Sequence, residues 1–150
     1  MRRKAEPFTI IVDSREQKPY RFERMAVAAL PTGDYSIQGL EAEVAIERKS
    51  REDAYASLGS GRARFERELV RLSRLKYAAI VVESTLPGFL EPPPFTKMNP
   101  KAAVNSLIAW SVKYRVCVFF AGDRIHAQAL TRRLLEKYWK YRTEKADAHR

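Results

Sequence analysis

The chain has 150 residues, 45% of them hydrophobic, with 28 Lys and Arg against 18 acids and a net charge of +10. That size allows one domain with a substantial core, and the composition excludes a disordered chain. The charge points to a polyanionic partner, nucleic acid ahead of a membrane surface.

No apolar run is long enough to span a bilayer, and the stretch after Met1-Arg2-Arg3-Lys4 is too short for a signal peptide. Cys117 is the single cysteine, which excludes an internal disulfide and favours an intracellular, non-secreted setting.

Phe8-Thr9-Ile10-Ile11-Val12 is β-branched and aromatic and predicts a buried first strand ending at Asp13. Residues 20–30 carry no clear period, with a candidate short strand at 27–30. Pro31-Thr32-Gly33-Asp34 is turn chemistry, after which Tyr35-Ser36-Ile37 and residues 43–48 predict a hairpin around Gly39. Ser50 is placed to cap a short helix, with Asp53 as the reciprocal acid, and Gly59-Ser60-Gly61 breaks that helix.

A longer helix is predicted over 62–76, with Phe65, Leu69, Leu72 and Leu75 as its apolar face. Residues 77–82 predict a second buried strand. Segment 84–99 holds Gly88 and Pro92-Pro93-Pro94 and is expected to be an extended, mobile loop. Asn99-Pro100 starts a helix to about residue 114 that should bury Val104, Leu107, Ile108 and Val112. A last buried strand is expected over 116–120, with Cys117 inside it. Gly122-Asp123 opens a final helix with Leu130, Leu134 and Tyr138 on one face, and the polar tail 142–150 is expected to fray. Late strands alternating with helices predict an α/β fold with a mixed central sheet flanked by helices.

The chemistry concentrates around Asp34 and in Val44-Ala45-Ile46-Glu47-Arg48-Lys49. Alternation puts Glu47 and Lys49 on one face of a strand and Arg48 on the other. Two carboxylates and an ammonium at a strand end are the parts of a Mg²⁺ or Mn²⁺ site for phosphodiester hydrolysis. Each part also has an ordinary reading. Gly33-Asp34 taken alone is a turn, and Glu47 and Lys49 suit a solvent-facing strand. Arg48 can pair with an acid beneath the site or pack its stem. Asp53 can serve the cap, the site or both. The arginines from Arg62 to Arg74 suit a solvated helix face, with Arg62 and Arg64, near the helix start, as candidates for DNA contact alongside Arg15 and Lys18. His126 and His149 read as surface or cap residues. Trp110 and Trp139 read as core, with Tyr138-Trp139 a candidate contact to a second subunit.

Four stretches carry a resemblance. Val12-Asp13-Ser14-Arg15-Glu16, Gly33-Asp34-Tyr35, Glu47-Arg48-Lys49 followed by Asp53, and Gly61-Arg62 followed by Phe65-Glu66 agree in order and spacing with one family. They resemble the nuclease domain of the XPF family of structure-specific DNA endonucleases, within the restriction-endonuclease-like PD-(D/E)XK superfamily. The likeness covers essentially the whole chain as a single domain, 1–150.

The resemblance implies a metal-dependent endonuclease that cuts flap, fork or branched DNA in repair or recombination. It implies Asp34 and Glu47 as core metal ligands and Lys49 as the catalytic lysine. Asp13 and Glu16 would complete the acidic cluster, Asp13 as a further metal ligand, with Arg48 and Asp53 supporting. It implies Mg²⁺ or Mn²⁺ as cofactor and pairing as a homodimer or with a related, often inactive, subunit. The family's tandem helix-hairpin-helix module has no counterpart in these residues, so a stand-alone nuclease, or one borrowing its DNA grip, is expected. The alternatives are a non-catalytic DNA-binding or scaffold subunit and a sequence-specific restriction-type nuclease reading bases through 84–99.

Overall fold

Branched and aromatic side chains lay down a sheet of six strands in the computed structural model, which describes residues 7–148. Met1-Arg2-Arg3-Lys4 and His149 lie outside those residues. The strands are β1 (Ile10–Asp13), β2 (Met25–Ala28), β3 (Tyr35–Ile37), β4 (Val44–Ser50), β5 (Tyr77–Glu83) and β6 (Cys117–Phe120). They lie side by side in the order β2-β1-β3-β4-β5-β6. β3 pairs antiparallel with β1 and with β4, the second through a short hairpin connection. β1 with β2, β4 with β5, and β5 with β6 are parallel, the last two pairs joined by helical crossovers.

The helices are α1 (Arg51–Leu58), α2 (Arg62–Ser73), α3 (Leu86–Phe89), α4 (Pro100–Tyr114) and α5 (Arg124–Ala148). Alternation along β4 and β5 divides the core between the two faces. Ala45, Ile80 and Val82 pack with Leu58, Phe65, Leu69 and Trp110 from α1, α2 and α4. Val44, Ile46, Ala79 and Val81 pack with Tyr20, Tyr35 and, from α5, Ala127 and Leu135. The result is the expected mixed sheet with helices on both faces.

Several local expectations are corrected. α4 buries Ala103, Leu107 and Trp110, while Ile108 and Val112 are 57% and 75% exposed. Its inward stripe begins at a small alanine, so the bulkier side chains misplace the face. Cys117 is exposed, because β6 is an edge strand paired only to β5. Segment 84–99 is tied down near its start. Thr85 caps the single turn of α3, and Phe89 is fully buried, its ring 4.7 Å from that of Tyr55. The tail is helical through Ala148, and Arg142 secures it with bonds of 3.0 and 3.1 Å to the Glu43 carboxylate. Tyr138 and Trp139 are half-buried and held within the chain: Tyr138 Oη donates to Glu43 at 2.7 Å, and Trp139 packs its ring 5.4 Å from that of Phe8.

Candidate active site

β4 changes from apolar to charged as it leaves the core, and alternation sorts the charged residues onto opposite faces. Glu47 and Lys49 face α1 and α2. Arg48 turns toward the α5 face, where Tyr20 and Glu83 wait.

Gly33 makes the turn that delivers Asp34. Its φ is +79°, and an added Cβ would stand 2.7 Å from the Cβ of Ala45, so only glycine fits without displacement. Asp34 N donates to Ile46 O at 2.9 Å, and Arg48 N donates to Asp34 Oδ2 at 2.8 Å. The Asp34 carboxylate is thereby latched to the strand that carries Glu47.

Glu47 is 8% exposed, with Lys49 Nζ 3.9 Å from its Oε1. Lys49 Nζ donates to Ser57 Oγ at 2.9 Å and lies 4.9 Å from the centre of the Phe65 ring. Glu68, from α2, stands against Glu47, and the Glu68 Oε1 is buried without a hydrogen-bond partner. Burial pushes the Glu47 carboxyl well above the carboxylate range, and the neighbouring Asp34 and Glu68 push it further. Burial also raises Asp34, to about 7, against the opposing hydrogen bond from the Arg48 N–H. Acids crowded in this way favour a proton or a cation among them.

On the other face, Arg48 donates to Glu83 from Nε and Nη2, each at 3.0 Å, and its Nη1 lies 3.6 Å from Glu16 Oε1. Tyr20 Oη donates to the same Glu83 at 2.6 Å; burial first, then this bond, push its phenol pKa up. Arg124, at the start of α5, lies 3.6 Å from Glu83 and over the Tyr20 ring at 4.8 Å. Of the two readings for Arg48, the structure shows the ion pair.

These groups open into a cleft of about 1230 Å³ at the C-terminal ends of β4 and β5. Its lining brings together Glu16, Asp34, Glu47, Arg48, Lys49 and Asp53, and at its basic margin Arg15, Lys18 and Arg64. Ser50 Oγ accepts from Asp53 N at 3.0 Å, so Asp53 both belongs to the cap and faces the cleft.

Asp13 departs from expectation. It is 5% exposed and is not among the cleft's lining residues. Its carboxylate accepts from Arg15 Nε at 2.9 Å, Arg15 Nη2 at 3.1 Å and Leu30 N at 2.8 Å. Burial alone would raise its pKa, but these bonds outweigh it and hold Asp13 below the usual value. Its bonds to Arg15 and Leu30 anchor the end of β1. Arg62 lies outside the cleft lining. Its guanidinium stacks 4.5 Å from the Trp110 ring and donates to Leu58 O and Ser106 Oγ at 3.2 and 3.1 Å, away from the cleft.

Glu83, Glu68, Tyr20, Ser57 and Arg124 went unnoticed in the sequence. Glu83 carried a signal, since it ends an apolar strand just as Asp13 does. So did Glu68, which falls among Phe65, Leu69 and Leu72 at helical spacing, a charge on an apolar face.

The donor set is all oxygen, half-sheltered and reached from solvent, which fits a hard divalent cation. Among the described residues no three acidic, histidine or cysteine side chains are grouped closely enough to hold an ion unaided. Mg²⁺ commonly takes one or two carboxylates and completes its shell with water and substrate oxygens, so Asp34 and Glu47 suffice as a start.

The comparisons with known proteins agree with this architecture. Residues 12–134 match the model of the ERCC4 domain. XPF from Aeropyrum pernix is similar in structure with a TM-score of 0.69 at 19% identity, covering 93% of this chain and 69% of that one. XPF from Aeropyrum pernix in complex with DNA gives 0.70 at 20% identity, covering 89% of this chain and 66% of that one. At these identities the likeness is one of fold, and the chain spans about two thirds of those proteins. A search of curated protein sequences finds no match.

Proposed function

The chain belongs to the ERCC4-domain family of XPF-type nuclease domains, and from that premise we propose that it is a divalent-metal-dependent endonuclease acting on DNA. One observation carries the reading: Asp34 and Glu47 meet beside Lys49 in an open cleft with a basic margin. Asp34 and Glu47 would hold Mg²⁺ or Mn²⁺, with Glu68 close behind Glu47. The bound ion would lower the pKa of water and polarise the phosphoryl oxygens.

The chain's own groups divide the remaining work. Ser57 fixes Lys49 Nζ, which is then placed to orient the attacking water or to meet charge building on the phosphate. Lys18 and Arg64 draw the DNA backbone to the cleft, which makes binding fall steeply with salt. The Arg48–Glu83 pair keeps the backbone N–H that holds Asp34 in place. We further propose branched DNA as the substrate, repair or recombination as the setting, inside the cell, and pairing with a second copy or a related chain. Exposed Ile108 and Val112 on α4 support pairing.

The test is cleavage of labelled nicked, flap, fork and four-way DNA with Mg²⁺ or Mn²⁺. Asp34→Ala, Glu47→Ala and Lys49→Ala should each abolish product while leaving most DNA affinity. Normal cutting by all three ends the assignment. That no three-ligand cage is ready-made among the described residues favours a second reading, a non-catalytic DNA-binding subunit. That reading requires no product from the unsubstituted chain with either ion.

A further inference from the structure

A second concave surface lies at the far end of the sheet from the cleft. Between the start of β5 and the last turns of α5 is a groove of about 440 Å³. Val44 is registered with Tyr77 at this end and Ser50 with Glu83 at the cleft, a separation of about 20 Å along the strand. α5 contributes Leu134, Lys137, Tyr138, Tyr141, Arg142 and Lys145, spaced to share one helical face.

Charge and shape in the groove are specific. Glu43 is the one carboxylate in its lining, and it is engaged by Arg142 at 3.0 and 3.1 Å, by Tyr138 Oη at 2.7 Å and by Lys76 Nζ at 3.6 Å. Lys137 and Lys145 are exposed, and no carboxylate pairs with either among the described residues. Tyr141 is 59% exposed, with Lys140 Nζ 5.5 Å from the centre of its ring on one side and the other side open to a base, and Tyr77 and Tyr138 stack at 6.4 Å beside it. Cations that track a backbone, interleaved with an available aromatic face, are the elements of single-strand binding.

We propose that this groove binds single-stranded nucleic acid, with Lys137 and Lys145 meeting phosphates and Tyr141 stacking on a base. A duplex keeps its bases stacked and offers Tyr141 no free face. α5 links the two surfaces, since Arg124 at its start lines the cleft and Lys145 near its end lines the groove. A strand leaving the cleft along α5 reaches the groove after about six nucleotides at duplex spacing. The inference rests on the nucleic-acid reading above and adds to it a second contact for an unpaired arm.

The experiment is fluorescence anisotropy on the full chain with a labelled oligo-dT of about 16 nucleotides, in EDTA so that nothing is cut. Circular dichroism checks the fold of each variant. Lys137→Glu with Lys145→Glu should weaken binding roughly tenfold and reduce the slope of log K against log salt by about 1.4, or 0.7 for each lost phosphate contact. Tyr141→Ala should weaken it roughly fivefold or more. Unchanged affinity and slope in both variants overturn the proposal. So does an equal loss on a blunt duplex of the same length, which marks a general basic patch. Because EDTA removes cutting from the readout, failure here leaves the nuclease reading standing, and failure of the cleavage test leaves this binding result standing.

Discussion

Arg48 and Glu83 clasp each other through parallel bonds, Nε to Oε2 and Nη2 to Oε1, both 3.0 Å, with side chains 10% and 9% exposed. A pair so sheltered tolerates joint replacement far better than the loss of one member. Glu83→Ala strands the guanidinium, with Glu16 at 3.6 Å the nearest remaining acid, and should cost about 3–5 kcal/mol in urea denaturation. Arg48→Met should cost a similar amount. Arg48→Met combined with Glu83→Gln, which keeps an acceptor for Tyr20 Oη, should recover most of it. If instead the two losses simply add, the pair is not the unit that holds this end of β4.

Glu68 makes a separate prediction, because its carboxylate lies against Glu47 with a buried oxygen left unpartnered. Glu68→Gln relieves that repulsion. Without metal, the variant should gain on the order of 1 kcal/mol, a rise in Tm of a few degrees. In Mn²⁺ the order reverses in effect: the Tm shift produced by the ion should be smaller than in the unsubstituted chain. Thermal denaturation with and without Mn²⁺ reads both. An undiminished Mn²⁺ shift would exclude Glu68 from any part in holding the ion.

What the sequence made legible follows from where the physics is local. Strand alternation over Val44-Ala45-Ile46-Glu47-Arg48-Lys49 needs only neighbours, and it placed Glu47, Lys49 and Arg48 on the faces they occupy. Turn chemistry put Gly33 before Asp34, and side-chain capping put Ser50 and Asn99 at helix starts. Other features depend on partners distant in the chain. Asp13 ends a strand as a ligand would, yet Leu30 N and Arg15 claim its oxygens. Arg62 opens α2 as a phosphate contact would, yet Trp110 lies beneath it. Glu83 is only a strand-end acid in the sequence, and its partner Arg48 lies on the neighbouring parallel strand. The inward face of α4 does not follow from side-chain size, because close packing selects Ala103 beside Leu107 and Trp110.

Gly33 offers a test of how Asp34 is delivered. Gly33→Ala forces a Cβ into left-handed backbone and to 2.7 Å from the Ala45 Cβ, for a combined cost of about 2–4 kcal/mol. Gly39 provides the control, since its φ is +87° but nothing lies within 4 Å of an added Cβ. Gly39→Ala should therefore cost only about 1 kcal/mol of backbone strain. Adding Ala45→Gly to Gly33→Ala should restore the part due to the clash and leave the strain. Urea midpoints for the four chains decide it, and equal losses at Gly33 and Gly39 would show that the contact with Ala45 is easily relieved.

Asp34 gives the metal-free chain a dependence on pH whose sign can be worked out. Burial raises its folded pKa to about 7 from the ordinary 3.8. Between those values the folded state holds more protons than the unfolded one, so stability falls as pH rises. The contribution is full below 3.8 and is lost as pH climbs through about 7. Glu47, displaced in the same direction, carries the loss further. In EDTA the urea midpoint should therefore decline from about pH 5 to about pH 8, and Asp34→Asn should make that decline shallower. A divalent ion competes with the proton for the same oxygens, so Mg²⁺ should stabilise the chain more at the upper end of this range than at the lower. A midpoint that rises across the window in EDTA, with Mg²⁺ equally effective throughout, would mean that Asp34 is already ionised and compensated in the folded chain.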